Sequence, residues 1–338
     1  MDLAEHYRVL KPKYDGLLSA IKFSLNEIIK HNNLALFELD GRVKTLESVQ
    51  DKLQRKGYEN GFDDVEDFCG IRVVCYYTSD MDKLSDIISN EFNVLSESDK
   101  QKEAEDDRFG YLSRHFIVTL KDEWLSAPLY RDFRDLKIEI QLRTMLMHTW
   151  AAISHKLLYK YESDAPKELK RRLNRLSALI ELADEQFNTI RELKENYSMK
   201  IMSDSGDKNT PLNSDGVLSL VNKYSPGRDL DDPDDVPKFL AEIYDLELSI
   251  ASFEDKIIKA LPVANQIESQ LAKLRKKDYL PVWSVLGFCR MVLDLTSDVY
   301  YKRRWEDGIM EDYVKSAPAK DKYWETWMNL VKTLRKTL

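Results

Sequence analysis

This sequence of 338 residues predicts an α/β domain, a mixed β-sheet flanked by helices, followed by an all-helical C-terminal domain. Three observations carry that expectation. Leu136, Ile138, Ile140 and Leu142 alternate with Lys137, Glu139, Gln141 and Arg143, the period of two of a half-buried strand. Two further β-forming runs are interleaved with segments of helical spacing. Beyond Ala165 the apolar spacing is helical wherever it is regular.

The elements follow in order. Tyr14, Leu17, Leu18, Ile21, Leu25, Ile28 and Ile29 recur at helical spacing and open the chain with an amphipathic helix. Residues 41–56 read as a short extended start leading into a second helix. Residues 71–77 follow Gly70 and are rich in β-formers, which makes a strand. A helix over 81–90 comes next. Residues 96–108 are polar and charged with no apolar period, so a mobile loop is expected there. Strands at 115–120 and 136–142 follow, then a helix over 144–161.

Leu169, Leu173, Leu176, Ile180, Ala183, Phe187 and Ile190 step by three or four and give one long helix. Residues 203–214 are polar and carry Gly206 and Pro211, and 225–237 are acidic and proline-rich, so both read as breaks. From Phe239 onward Leu240, Ile243, Leu246, Ile250 and Phe253 share a helical face. The expected division is an α/β domain with its trailing helix at 1–200, a linker region at 201–237 and a helical C-terminal domain at 238–338.

Composition narrows the class. A 43% hydrophobic and 33% charged content describes a soluble globular protein. No apolar run approaches the roughly 20 residues that span a bilayer, and the start lacks the basic region and apolar core of a signal peptide. Cys69, Cys75 and Cys289 are too few and scattered for a disulfide framework or a zinc site. A cytoplasmic protein with no membrane partner is therefore expected. A net charge of −8 argues against non-specific nucleic-acid binding by the whole surface, and leaves room for a local basic patch.

Four groups of residues bear chemistry. Lys44, Ser48, Lys52 and Lys56 are four apart, flanked by Arg42 and Arg55. Separated cations with a hydroxyl among them suit a polyphosphate, although a solvated basic helix face is the plainer reading of the stripe alone. Asp63, Asp64, Glu66 and Asp67 precede the 71–77 strand. A carboxylate there could hold Mg²⁺, with Glu139 as second ligand from a neighbouring strand, or merely mark a helix N-terminus. Gly110-Tyr-Leu-Ser-Arg-His115 puts Tyr111, Ser113 and His115 on one side if extended. Glu139, Gln141 and Arg143 share the polar face of their strand. There is no Walker sequence and no G-x-G-x-x-G.

Taken in order, these groups resemble the synthetase domain of the RelA/SpoT family of alarmone synthetases. The resemblance rests on Arg42-Val-Lys44 with Ser48, Lys52 and Lys56, on Asp67-Phe-Cys-Gly70-Ile-Arg72, and on Gly110-Tyr111-x-Ser113-x-His115. Glu139-x-Gln141-x-Arg143-Thr144 follows, and Met147, Trp150, Ala151, His155, Tyr159 and Lys160 complete the set. It fades after about Tyr197. Phe109, His148 and Ser154 depart from the family pattern and bear on the identity of the acceptor. No His-Asp dipeptide occurs, so the family's metal-dependent hydrolase domain is not expected.

The resemblance implies a nucleotidyltransferase-like sheet and transfer of the β,γ-pyrophosphate of ATP to the ribose 3′-hydroxyl of GDP or GTP. It also implies roles. Arg42 and Arg72 would sandwich the adenine, and Lys44, Ser48, Lys52 and Lys56 would serve the ATP phosphates. Asp67 and Glu139 would bind Mg²⁺, and Glu139 would accept the hydroxyl proton. Tyr111 would stack on the acceptor base, while Ser113, His115, Gln141, Arg143 and His155 would belong to the acceptor site. The alternative acceptor is the 3′-CCA end of tRNA, as in toxic relatives that a fused domain neutralises. Lys167, Lys170, Arg171, Arg172 and Arg175 could then meet the acceptor stem, although a solvated helix face is the plainer reading of that run. In the C-terminal domain Tyr300, Tyr301, Lys302, Arg303, Arg304 and Trp305, with Tyr323, Trp324 and Trp327, read either as core or as an exposed cluster that docks on the catalytic domain or a partner protein.

Overall fold

A computed structural model describes residues 3–58, 61–99, 113–158, 166–203, 207–230, 232, 234–274, 281, 283–306 and 322–338. The chain divides into two compact units, Met1–Arg191 and Glu192–Leu338. Among the described residues no helix is long and apolar enough to cross a membrane.

The first unit is built on one sheet. Its strands are β1 (Leu36–Val43), β2 (Cys69–Cys75), β3 (Phe92–Asp99), β4 (Arg114–Leu120) and β5 (Ile138–Thr144), in the order β1-β2-β5-β4-β3. β2 and β5 run parallel, and every other pair is antiparallel. The helices are α1 (Leu3–His31), α2 (Leu46–Lys56), α3 (Thr78–Glu91), a short α4 (Asp122–Leu125), α5 (Met145–Leu158) and α6 (Lys167–Met202). A mixed sheet with flanking helices is the class that the sequence predicts.

Side chains alternate across this sheet as its pleat requires. Ile71, Val73, Phe116, Val118, Ile138, Ile140 and Leu142 are buried in the core, as are Leu17, Ile21 and Leu25 of α1. Gly41 permits the close approach of α1 to β1. A Cβ there would lie 2.6 Å from Leu18 Cδ1 and 3.0 Å from the Gly70 carbonyl oxygen, so a side chain would displace the Leu18 tip and crowd the β2 backbone. The opposite face carries Arg72, His115, Glu139, Gln141 and Arg143.

The sheet departs from the expected strands at its edges, while β2 and β5 lie two residues before 71–77 and two after 136–142. β1 begins at Leu36, before residue 41, and β3 is a strand the sequence did not mark, so Ser96–Asp99 are strand and not loop. Both strands are sheet edges, with solvent on their outer side, and they lack the apolar alternation that marks a central strand. Residues 100–108 lie outside the described ones. Thr45 caps α2, its hydroxyl oxygen accepting from the Ser48 N–H, and Gly57 ends the helix at φ 62°. Lys44 therefore precedes the helix, and the stripe of 44, 48, 52 and 56 is not a single helix face.

α6 is held to the first unit by polar bonds as much as by apolar packing. The Thr144 hydroxyl donates to Asp184 (2.6 Å) and accepts the Met147 N–H (3.1 Å). Arg191 donates to Asp80 (2.8 Å) and lies over the Tyr77 ring.

In the second unit α7 (Ser214–Tyr224), α8 (Asp235–Glu242), α9 (Ile250–Leu274), α10 (Val285–Thr296), α11 (Asp298–Tyr301) and α12 (Lys322–Leu334) share one core. The stretch 201–237, read as linker, contains α7, whose Val217, Leu220 and Val221 enter that core. Asn213 caps α7 through the Gly216 N–H at 2.8 Å, a signal masked in the sequence by its polar, glycine-bearing surroundings. The aromatic-basic cluster is no exposed docking surface. Tyr300, Tyr323 and Trp327 are buried, Trp305 packs on Trp327, and Arg303 and Arg304 pair with Asp245 and Asp294. Aromatic rings at helical spacing have here simply joined the core; the Trp324 side chain lies outside the described ones.

Burial pushes the Asp184 carboxyl up to about 6, although its bond from Thr144 works the other way. The folded state then holds this proton more tightly than the unfolded chain, whose aspartates titrate near about 4. Its contribution to stability is present at low pH and is lost as pH rises through about 6. Asp184→Asn keeps an acceptor for Thr144 and removes the titration. Urea midpoints of wild type and variant should converge or cross in favour of the variant as pH rises through this window, and stay parallel above it. A difference independent of pH would contradict this assignment.

Candidate active site

The parallel register of β2 and β5 assembles the site. Gly70 pairs with Glu139, Arg72 with Gln141 and Val74 with Arg143, so these residues lie side by side on the polar face. On the outer side of β2, antiparallel β1 sets Asp40 beside Arg72 and Arg42 beside Gly70. On the far side of β5, β4 sets His115 beside Gln141. A cavity of about 260 Å³ opens here, lined by Asp40, Gly41, Arg42, Lys44, Asp67, Gly70, Ile71, Arg72, Glu139 and Gln141.

Glu139 is the end point of two hydrogen-bonded chains. His115 Nδ1 lies 2.8 Å from Glu139 Oε1, and because a carboxylate only accepts, that nitrogen carries the proton. His115 Nε2 lies 2.7 Å from the Ser113 hydroxyl. Along the strand, Arg143 donates to Gln141 Oε1 (2.8 Å) and Gln141 Nε2 donates to Glu139 Oε2 (2.7 Å). Burial would raise the Glu139 carboxyl, but the bonds from His115 and Gln141 hold it below the usual range. Arg143 is brought down to about 10 by burial and by the neighbouring Arg72, and so stays charged at neutral pH. His148 is lowered by burial and by Arg72.

Asp67 is held differently. Lys52 Nζ lies 2.7 Å from Asp67 Oδ1, and Lys44 Nζ lies 3.1 Å from Oδ2. Burial opposes ionisation of this carboxyl too, and the two lysines more than offset it. The next residue anchors the arrangement. Phe68 is fully buried, with the rings of Phe62, Tyr7 and Tyr14 edge-on around it. Its carbonyl accepts the Lys44 N–H (2.9 Å), and the Lys44 carbonyl accepts from the Tyr7 hydroxyl (3.2 Å).

The residues singled out from the sequence thus fall into sets. Arg42, Lys44, Asp67, Arg72, Glu139 and Gln141 line the cavity. Lys52 joins it through Asp67, Ser113 and His115 through Glu139, and Arg143 through Gln141. Ser48 and Lys56 are exposed on α2, and His155 is exposed on α5, none of them on the cavity wall. Gly110, Tyr111, Tyr159 and Lys160 lie outside the described residues. Asp40 also lines the cavity, on the same face as Arg42 two residues on; its strand begins before the extended start expected at Gly41, so spacing alone does not single it out.

Comparison with known proteins points the same way as the geometry. A model of the family described as a region found in RelA / SpoT proteins matches residues 41–164. GTP pyrophosphokinase YjbM of Bacillus subtilis is 31% identical over 154 residues, covering 45% of this chain and 70% of the relative. GTP pyrophosphokinase YwaC of the same organism is 28% identical over 190 residues, 55% of this chain and 87% of the relative. Among solved structures, small alarmone synthetase 1 from Bacillus subtilis bound to its product pppGpp is 27% identical, with a TM-score of 0.47 over 56% of this chain and 97% of that one.

Removing His115 tests how Glu139 is kept ionised. In His115→Ala the burial of Glu139 is opposed by Gln141 alone, so its carboxyl should titrate at higher pH than in wild type. Carbon-13 NMR of glutamate-labelled protein reads this shift, and an unchanged titration would show that His115 does not hold the carboxylate.

Proposed function

The chain belongs to the RelA/SpoT family, and on that footing we propose that it is a GTP pyrophosphokinase-type enzyme. It moves the β,γ-pyrophosphate of ATP to the 3′-hydroxyl of GDP or GTP, giving ppGpp or pppGpp. One observation carries the reading: two carboxylates, Asp67 from the turn that leads into β2 and Glu139 from β5, line one cavity with Arg42, Lys44 and Arg72.

The donor set fits Mg²⁺. Asp67 and Glu139 offer hard oxygen ligands, and Gly70 leaves free the space beside Glu139, where a Cβ would come within 3.9 Å of Oε2. Bound there, Mg²⁺ supplies charge neutralisation to the phosphates being transferred. The protein does the rest. Arg42 and Arg72 offer flat cationic surfaces to the adenine, and Lys44 and Lys52 are within reach of the phosphates as point charges. Glu139, held ionised by His115 and Gln141, accepts the proton of the 3′-hydroxyl. The freed oxygen forms a bond to the β-phosphorus, the bond from that phosphorus to the α,β-bridging oxygen breaks, and AMP departs with that oxygen. Positioning and charge stabilisation supply most of the rate in such transfers.

A second acceptor, the 3′ end of tRNA, is favoured by one feature. Lys167, Lys170, Arg171, Arg172 and Arg175 crowd the first turns of α6, where a strip of positive charge meets solvent.

Purified protein incubated with ATP, Mg²⁺ and GDP or GTP should release AMP and form a 3′-pyrophosphorylated guanosine nucleotide. Glu139→Gln and Asp67→Asn should each lower the rate by at least about a thousandfold, in line with the loss of a transition-state charge contact, with an unchanged circular dichroism spectrum. Labelled γ-phosphate reaching tRNA and not the guanosine nucleotides would move the assignment to the second acceptor. ADP as the product in place of AMP would contradict pyrophosphate transfer altogether.

A further inference from the structure

Both oxygens of Asp67 are taken by lysines, and this gives the residue a second role. Lys52 Nζ lies 2.7 Å from one oxygen and Lys44 Nζ 3.1 Å from the other, with side-chain exposures of 17%, 15% and 21% for Lys52, Lys44 and Asp67. The three come from separate places in the chain: the turn after β1, the middle of α2 and the approach to β2. Glu139, across the same cavity, is held by His115 and Gln141 and, among the described residues, by no lysine. We propose that Asp67 is a keeper of Lys44 and Lys52, which makes the binding of a divalent cation and of a nucleoside triphosphate strictly interdependent. The inference rests on the reading of this cavity as the ATP site.

The physical argument is one of exchange. Lys44 and Lys52 each direct their charge at Asp67, so phosphate oxygens compete with that carboxylate for both ammonium groups. The backbone of Lys44 is fixed by Phe68 and Tyr7, so only its side chain can swing. A triphosphate entering alone would draw the lysines away and face an uncompensated, largely buried carboxylate. That unpaired charge opposes the phosphates. A divalent cation entering alone would have to displace two ammonium groups from one carboxylate. Entering together, the cation takes the carboxylate, the lysines take the phosphates, and every charge stays paired. Each ligand thus raises the affinity for the other by the same factor, as linkage requires.

An aspartate that were only a metal ligand would behave differently, and binding without turnover separates the two cases. Equilibrium binding of α,β-methylene ATP is measured for the full chain, with Mg²⁺ and with EDTA. Wild type should bind well with Mg²⁺ and poorly with EDTA. Asp67→Asn frees both lysines, so in EDTA it should bind the analogue about tenfold or more tightly than wild type in EDTA, and Mg²⁺ should add little. Asp67→Ser, tested alongside, should do the same, with thermal melts confirming that each variant is folded. Glu139→Gln, which loses a metal ligand and releases no lysine, should bind in EDTA as weakly as wild type. If Asp67→Asn and Asp67→Ser in EDTA bind no more tightly than wild type, the keeper role is overturned while the ATP site stands. If wild type fails to bind the analogue even with Mg²⁺, the reading of the cavity falls, and the keeper role with it.

Discussion

Parallel pairing of β2 with β5 is the constraint on which the rest of the first unit depends. With Cys69 opposite Ile138, every second pair of neighbours is buried, and between them Gly70–Glu139 and Arg72–Gln141 line the cavity. A slip of one residue would carry Arg72, Glu139 and Gln141 into the apolar core and the core residues out. The hydrophobic effect that fixes this register therefore also fixes the distance between the β2 and β5 side chains of the site. Parallel neighbours need a crossover, and the chain between β2 and β5 supplies α3 and the β3–β4 hairpin on the way.

Collecting so many charges on one half-buried face is costly, and the structure meets the cost by pairing. Asp67 is balanced by two lysines, Glu139 by a histidine and an amide, and Gln141 in turn by Arg143. The result is two carboxylates kept ionised against burial, by different partners. The difference matters chemically. Partners of Glu139 are a ring N–H and an amide that orient it, whereas partners of Asp67 are lysines suited to phosphate, so in the proposed ATP site the Asp67 arrangement is the one a triphosphate must disturb. The second unit uses the same rule for structure alone. Arg228 and Glu268 are almost fully buried, joined at 2.7 Å, and Glu268 also accepts the Trp283 N–H, which ties the segment after α7 to α9 and to the start of α10.

Much of this was legible in the residues because strands and helices leave periodic marks. The alternation of Leu136 to Arg143 reads directly as the central strand with its polar face, and Tyr14, Leu17, Ile21 and Leu25 read directly as α1. Edge strands were less readable. β3 has solvent on its outer side, so Asn93, Leu95, Ser96 and Glu97 need no alternation, and Ser96 onward looked like loop. α7 hid because its apolar residues, Val217, Leu218, Leu220 and Val221, form one short run between polar, glycine- and proline-bearing segments. The charged contacts of the site could not be read at all. Nothing in spacing joins Lys44 to Asp67 or His115 to Glu139, since those partners meet only once the sheet has closed. Tyr300 and Trp327 follow the core alternative of their pattern, residue types common at interfaces packed inside the second unit.

The central claim is that Asp67 and Glu139 act as one cation site facing the phosphates of a nucleotide. Electron paramagnetic resonance of Mn²⁺, titrated into the protein with α,β-methylene ATP bound, tests it most directly. One tight Mn²⁺ site in wild type, weakened severely by Asp67→Asn and equally by Glu139→Gln, is the predicted result. A tight Mn²⁺ site that survives both substitutions unchanged would contradict it.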